Sequence, residues 1–416
     1  MAYAIGTAAN HDDLLERLVT FLSTGLGPAE NWEVLRYTGV TDIAASSFVV
    51  NWEPWTAFKG PYHTHANGWA TAVGQHANCW LRWKLVRPLD LARLRLVGSA
   101  TANQSPRDFA LQWSDDGLTW TDRKAFAGIT WASNETKEFA IDGLSPGPKS
   151  HWRIFVSANG GNTSSTVIVQ VLLPEWQIYQ DFNHARRPAA WLKAPGLTGF
   201  DPCYVNFQIY DRPTNDYYNL AVTGCTGFVG AAQFDDQPGA LTALAIPLWS
   251  QPIAYWLAGN GQRVILSVKI DTAYLSAYAG KMLPFGTPQQ YPYPLLIGAP
   301  LPAASATRYS DSSVVLPYKG NRTTLKLRKN DGSWIQPLAW PYSKTTTFRD
   351  TAGAYPLLPV TLYDTANTYG VLDGVHFITG FGNAVENTVT IGAETHVVLQ
   401  DVTRNGLGDF FTMRIG

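Results

Sequence analysis

Between Pro106 and Thr121 the chain has few ways to fold. Phe109, Leu111 and Trp113 alternate with Ala110, Gln112 and Ser114, so an extended backbone places three large apolar side chains on one face and small or polar ones on the other. That pattern predicts a half-buried strand. Asp116-Gly117 follows, a residue tolerant of positive φ ahead of the one that adopts it most easily, and Leu118-Thr119-Trp120 resumes a strand-like pattern. A tight hairpin is expected there.

Short alternating runs broken by Gly, Asn, Asp and Pro extend from Trp32 to Val171, the pattern of a β-sandwich. A chain of 416 residues has room for two to four domains. Charged residues make up only 15% and aromatics 13%, so the rings either fill broad β-sheet cores or serve interfaces. A net charge of −1 provides no phosphate-tracking surface, which sets nucleic acid aside as a partner. Cys79, Cys203 and Cys225 cannot all pair with one another and none lies in a Cys-x-x-Cys spacing, so free, buried thiols are expected. With no run of 18 apolar residues and no basic segment before an apolar N-terminal stretch, neither a membrane span nor secretion is expected, and assembly in a cytoplasm is.

One helix stands out against the strands. Leu14, Leu15, Leu18, Val19, Phe21 and Leu22 form a single apolar stripe, Asn10 is placed to cap it, Asp12 and Asp13 fall in its positive first turn, and Gly25 and Gly27 stop it. An isolated helix of this length is marginal in water, so the stripe must dock. Its partner is either its own sandwich or a neighbouring subunit, and Leu14, Leu15, Leu18 and Leu22 are the residues expected to make an assembly contact.

Beyond Leu172-Leu173-Pro174-Glu175-Trp176, which reads as a domain exit, strands continue in a different style. Asn260-Gly261 predicts a type I′ turn with both residues at positive φ, followed by a strand alternating Val264, Leu266 and Val268 with Ile265, Ser267 and Lys269. The division expected is an N-terminal helix (1–27), a sandwich (28–176), a second β domain (177–343) and a C-terminal β segment (344–416) packed on the second domain.

The strand, the Ser-Asp-Asp-Gly turn and the returning Trp120 resemble the central hairpin of discoidin-like (coagulation-factor C-type) domains. Gly68-Trp69-Ala70-Thr71, Cys79-Trp80-Leu81-Arg82-Trp83-Lys84-Leu85, Leu94-Arg95-Leu96-Val97, Ser150 to Val156 and Val167 to Val171 extend the likeness over about a third of the chain. The resemblance implies a jelly-roll sandwich of the galactose-binding-like fold, without the end-to-end cysteine pair that secreted members often have. The fold class expected is mainly β: this sandwich, a second β-sandwich-like domain with a C-terminal β extension, and one N-terminal amphipathic helix. Long aromatic loops at the end of such sandwiches meet ligands, and the stretch from Val49 to Cys79 carries Trp52, Trp55, Tyr62 and Trp69. These four are the candidate ligand- or partner-binding residues. Against that stands the plainer reading that the rings fill the loop's own small core or a protein interface.

Ala258 to Val264, Pro288 to Leu295, Tyr355 to Pro359, Tyr369 to Val375 and Gly380 to Ala384 resemble virion proteins of tailed bacteriophages and occur in the same order as in those proteins. The opening helix with Asn31 to Leu35 resembles that family's start. The likeness implies a multi-copy structural component of the virion, of the tail or baseplate, assembled in the host bacterial cytoplasm and docked to other tail proteins as a homo-oligomer or symmetric assembly. The alternative is a host-surface adhesin whose aromatic loops bind glycans, and a lesser one is a glycan-degrading tail enzyme.

No catalytic residues, metal site or cofactor are expected. His63, His65 and His76 have metal-ligand types but lack further ligands at a suitable spacing. Asp350-Thr351-Ala352-Gly353 has no second copy with which to share a proton. Asp115-Asp116 and Asp235-Asp236 are adjacent pairs whose side chains would diverge on a strand.

Overall fold

A computed structural model describes residues 1–58, 68–173, 188–196, 202–212, 217–230, 232, 236–241, 243–286, 295–298, 320–321, 325–341, 357–400 and 407–416. The fold is mainly β, with a single α-helix among the described residues. The chain forms two units: unit 1 comprises Met1–Arg36 with Ala189–Gly416, and unit 2 is the intervening Tyr37–Pro188.

The chain opens with β1 (Ala2–Ala8), α1 (His11–Thr24) and β2 (Glu33–Thr38). Asn10 is extended, and its side-chain oxygen accepts from the backbone N–H groups of Asp12 (2.9 Å) and Asp13 (3.0 Å). Two donors that the first helical turn leaves open are thereby satisfied. At the other end the Gly25 N–H donates to the Phe21 carbonyl at 2.9 Å. The stripe, however, is not an assembly surface. Leu14, Leu15, Leu18 and Leu22 are fully buried within the unit. Apolar area already removed from water by its own core has nothing left to gain from a neighbour, so of the two partners expected for the stripe it takes its own fold, and the assembly contact expected of these four leucines is corrected.

Unit 2 is built from β3 (Val40–Ala45), β4 (Trp69–Ala70), β5 (Cys79–Leu89), β6 (Arg93–Val97), β7 (Pro106–Ser114), β8 (Thr121–Phe126), β9 (Thr136–Ala140), β10 (Lys149–Asn159), β11 (Val167–Ile168) and β12 (Gln170–Leu172). Its sheets run β3-β5-β10-β7-β8, β12-β6-β9 and β11-β4. Leu81, Trp83, Leu111, Trp152 and Ile154 from the five-stranded sheet share one core with Leu94, Leu96, Phe139 and Val171 from the three-stranded sheet, so the unit is a sandwich. Strand periodicity sorts the side chains: β5 buries Cys79, Leu81, Trp83 and Leu85 and leaves Trp80, Arg82 and Lys84 half-exposed on the outer face.

The hairpin after β7 is looser than its sequence suggests. Trp113 pairs with Thr121, so residues 115–120 form the loop, and Leu118 is 80% exposed instead of lying on a strand. Gly117 does take positive φ, +73°. The Asp116 side chain accepts from the N–H groups of Leu118 and Thr119, both at 2.8 Å, and Ser114 Oγ accepts from those of Asp116 and Gly117. These local bonds compete successfully with the ladder. The backbone donors of Thr119 and Leu118 hold the Asp116 carboxyl down at about 2.

Unit 1 resumes with β13 (Ala189–Ala194), β14 (Cys203–Arg212), β15 (Tyr217–Cys225), β16 (Ala243–Leu248), β17 (Ile253–Asn260), β18 (Arg263–Ile270), β19 (Ala273–Lys281), β20 (Leu283–Pro284), β21 (Leu295–Gly298) and β22 (Gly320–Asn321). It ends with β23 (Lys326–Arg328), β24 (Trp334–Ile335), β25 (Leu338–Trp340), β26 (Leu358–Tyr363), β27 (Thr368–Phe377), β28 (Thr388–Ile391), β29 (Glu394–Gln400) and β30 (Phe410–Arg414). The sheets are β1-β17-β18-β19-β21-β23-β24, β2-β13-β14-β15-β16-β22 and β25-β26-β27-β30-β29-β28, with β20 on β27. Because β1 pairs with β17 and β2 neighbours β13, the opening segment is part of unit 1 and not a domain of its own. Trp256, Ile265 and Tyr278 share a core with Val360, Leu372, Val397 and Phe411, which ties the C-terminal strands into the same unit.

The turn between β17 and β18 sits one residue later than expected. Asn260 pairs with Arg263, leaving Gly261-Gln262 as the turn, and neither Asn260 nor Gly261 has positive φ. The Asn260 carboxamide oxygen instead accepts from the N–H groups of Gln262 (3.0 Å) and Arg263 (3.2 Å), closing the turn from the side chain. Register therefore depends on Asn260, and Gly261→Ala should cost less than about 1 kcal/mol. The strict glycine is Gly280, at φ +127°, where a Cβ would stand 2.3 Å from the Gln262 carbonyl oxygen. Gly280→Ala should cost about 2–3 kcal/mol in a denaturant melt, and equal losses at the two glycines would contradict this assignment.

Candidate functional site

The aromatic stretch ahead of β5 is shaped by backbone bonds. The Val49 N–H donates to the Ala70 carbonyl (3.1 Å), the Ala70 N–H to that of Trp52 (3.3 Å) and the Ala72 N–H to Ser47 Oγ (3.1 Å), so residues 47–52 run beside 69–72. A 3₁₀ turn, Pro54–Phe58, follows, and the Thr56 hydroxyl oxygen lies within hydrogen-bonding distance of the Glu53 (2.7 Å) and Gly68 (2.9 Å) carbonyls. The buried Phe58 ring meets Trp83 edge-on, with centroids 5.3 Å apart, which anchors this end to the sandwich core.

The four predicted residues fare differently. Trp69 is fully buried and donates its indole N–H to the Ser47 carbonyl at 2.8 Å, so it is a core residue and cannot stack on a ligand. That corrects its candidacy. Trp52 and Trp55 are only half-buried. Phe48 (50% exposed), Val50 (74%) and Val73 (79%) lie on the same pair of segments or directly beside them. Tyr62 lies outside the described residues, as do His63 and His65.

Among the described residues no group of three or more His, Cys, Asp or Glu could hold a metal ion. Cys79, Cys203 and Cys225 are buried, and none is in a disulfide. Burial pushes the Cys79 thiol up to about 11 and that of Cys225 up to about 12, so neither is a thiolate at neutral pH. His376 and His396, on β27 and β29, have ring centroids 5.1 Å apart. Burial lowers both pKa values, that of His376 to about 4, making them a neutral, packed pair. Asp115 is paired with Lys149 at 2.7 Å and Asp116 is committed to its loop, so they form no general acid–base couple. Asp235 and Asp350 lie outside the described residues.

A second group of residues was not expected from the sequence. Register brings Arg82 of β5 opposite Arg153 of β10, Lys84 opposite His151, and Trp80 opposite Phe155, all on the outer face of the five-stranded sheet. The alternation in Cys79 to Lys84 and His151 to Phe155 assigns each side chain to that face. Which of them stand side by side depends on pairing that neither segment encodes alone.

No protein-family model matches the chain, and no curated protein matches it. Similar solved structures include a carbohydrate-binding module from a family 31 glycoside hydrolase of Clostridium perfringens, 14% identical, with TM-score 0.27, covering 32% of this chain and 88% of that one. An F5/8 type C domain from Bacteroides fragilis is 14% identical, with TM-score 0.26, covering 34% and 94%. A family 32 carbohydrate-binding module of C. perfringens, solved in complex with galactose, is 18% identical, with TM-score 0.26, covering 33% and 97%. At these scores no ligand or binding residue transfers from them to this chain.

Proposed function

We propose that the chain is a non-catalytic binding protein whose unit 2 holds a glycan at the end of the sandwich formed by residues 47–58 and 69–74. The observation that carries this reading is the half-exposed pair Trp52 and Trp55 beside the exposed Phe48, Val50 and Val73. Indole faces stack on the apolar faces of sugar rings, and a rigid backbone frame lowers the ordering cost of binding. On a glycan array the intact protein should bind at least one neutral sugar. Trp52→Ala or Trp55→Ala should weaken that binding by about 1–3 kcal/mol, as for stacking of other flat rings. Unchanged binding in both variants would remove these residues from the site.

The second reading, a multi-copy component of a bacteriophage tail or baseplate, is favoured by β1. It is an edge strand among the described residues, pairing only with β17, and its outward residues Tyr3 and Ile5 are 52% and 49% exposed. Ala2–Ala8 contains no charge, proline or bulge of the kind that blunts a sheet edge. Labelling the protein in electron micrographs of particles tests this, and particles without label would dismiss it.

A further inference from the structure

The outer face of the five-stranded sheet in unit 2 carries a like-charge arrangement that folding alone does not explain. Arg82 and Arg153 stand directly opposite on neighbouring strands, with Lys84 opposite His151 in the next row. Like charges in that position destabilise a sheet. Their mutual effect is visible in the neighbours: burial and then Lys84 hold the His151 pKa down, and Arg153 is lowered first by burial, with Asp122 opposing and Arg82 adding to the shift.

Nearby carboxylates offset part of this repulsion, Asp122 acting on Arg153 more strongly than Arg82 does and Asp42 acting on His151, but none of them closes on the guanidinium forks. Asp42 lies 3.9 Å from Arg82 Nη2 with its side chain 57% exposed, Asp122 accepts from the Gln112 amide at 2.6 Å, and Asp116 is held by its own loop. Arg153 donates from Nε to Gln112 Oε1 and lies over the Trp120 ring at 4.5 Å, with Phe155 at 5.6 Å. One edge and one face of its guanidinium are therefore fixed while its terminal nitrogens stay available. Arg82 lies over Trp80 at 5.5 Å, donates from Nη1 to the Gly117 carbonyl at 3.3 Å, and leaves Nε without a partner. Two guanidinium groups held in place by rings are pre-organised for a planar, two-oxygen anion. In the next row Trp80 and Phe155 stand opposite each other and half-exposed, forming an apolar wall beside the cations.

We propose that this face binds an acidic saccharide, its carboxylate held by Arg82 and Arg153 and its ring laid against Trp80 and Phe155. The site is separate from the sandwich end that holds Trp52 and Trp55 and does not depend on that reading.

The test is binding of the intact protein, at low and at physiological salt, to polygalacturonate, dextran sulfate and dextran. Binding to polygalacturonate is expected, weaker at higher salt, and reduced at least tenfold by Arg153→Gln and by Arg82→Gln. Phe155→Ala should reduce it too, while Trp52→Ala should leave it unchanged. A preference for polygalacturonate over dextran sulfate identifies a carboxylate as the anion, and the reverse preference would overturn that assignment in favour of a sulfate. Arg153→Lys, which keeps the charge and the stem, serves if a glutamine variant melts early; it should bind more weakly than wild type because the fork is lost. Equal affinity for dextran, no binding to either acidic polymer at low salt, or arginine variants that bind as wild type would each overturn the proposal. Loss of neutral-sugar binding in Trp52→Ala with acidic binding intact would show two sites.

Discussion

Asp373→Ala should destabilise unit 1 by about 3–5 kcal/mol, because it strands a buried charge. The Arg263 side chain is fully buried, and its Nε reaches Asp373 Oδ2 at 3.1 Å. The same oxygen accepts from Asn260 Nδ2 at 2.8 Å and Gln262 Nε2 at 3.0 Å. Burial by itself raises the Asp373 pKa, but the Arg263 charge and these three donors more than reverse that, and the carboxyl ends below its ordinary range. One carboxylate thus holds the turn between β17 and β18 against β27. Removing it leaves a guanidinium and two amides without their acceptor, each paying its desolvation cost. For a unit of this size the loss corresponds to roughly 10 °C in melting temperature. A pairwise replacement, Arg263→Met with Asp373→Leu, should recover much of the loss, since an apolar pair of similar volume carries no buried charge. An Asp373→Ala melt within 1 kcal/mol of wild type would show that the pair contributes little.

Leu18→Ala should cost about 2–5 kcal/mol, and the loss should fall on unit 1. Leu18 is fully buried on α1, beside Leu14, Leu15 and Leu22, which are equally buried. The helix also approaches β17 closely: a Cβ at Gly259 would lie 3.1 Å from both Leu26 Cδ2 and Phe21 Cε1. Truncation leaves a cavity in a wall that cannot collapse freely. Glu16, exposed on the same helix, is the control, and Glu16→Ala should stay within about 0.5 kcal/mol. A calorimetric scan in which Leu18→Ala leaves the protein as stable as wild type, and only self-association falls, would restore the helix as an assembly element.

Much of this fold is written in local pattern. Alternation at Phe109, Leu111 and Trp113 identified β7, and the Asn10 cap identified the start of α1, because both depend on near neighbours. What a side chain does to its own backbone was harder to foresee. Asn260 closes its turn through its carboxamide, which removes the need for positive φ, and Asp116 holds a six-residue loop where the sequence suggested a two-residue turn. Long-range pairing was not legible at all. Nothing near Ala2–Ala8 indicates that it pairs with Ile253–Asn260, and so the helix beside it read as a free stripe. At the candidate site the same limit applies. Trp52, Trp55 and Trp69 are indistinguishable as ring-bearing loop residues, and it is the complete burial of Trp69 on β4 that separates the core ring from the two half-buried ones. The Arg82 and Arg153 pair depends wholly on register between strands some seventy residues apart.

The division of labour between the units can be measured directly. β2 and β13 are neighbours in the six-stranded sheet of unit 1, so Tyr37–Pro188 can be replaced by a short Gly-Ser loop joining Arg36 to Ala189. Titrating the intact and the excised chains with the same array-selected sugar, alongside calorimetry of both, tests whether binding resides in unit 2. Sugar binding should disappear in the excised chain while the unit 1 melting transition persists. An excised chain that still binds the sugar with the affinity of the intact protein would contradict it.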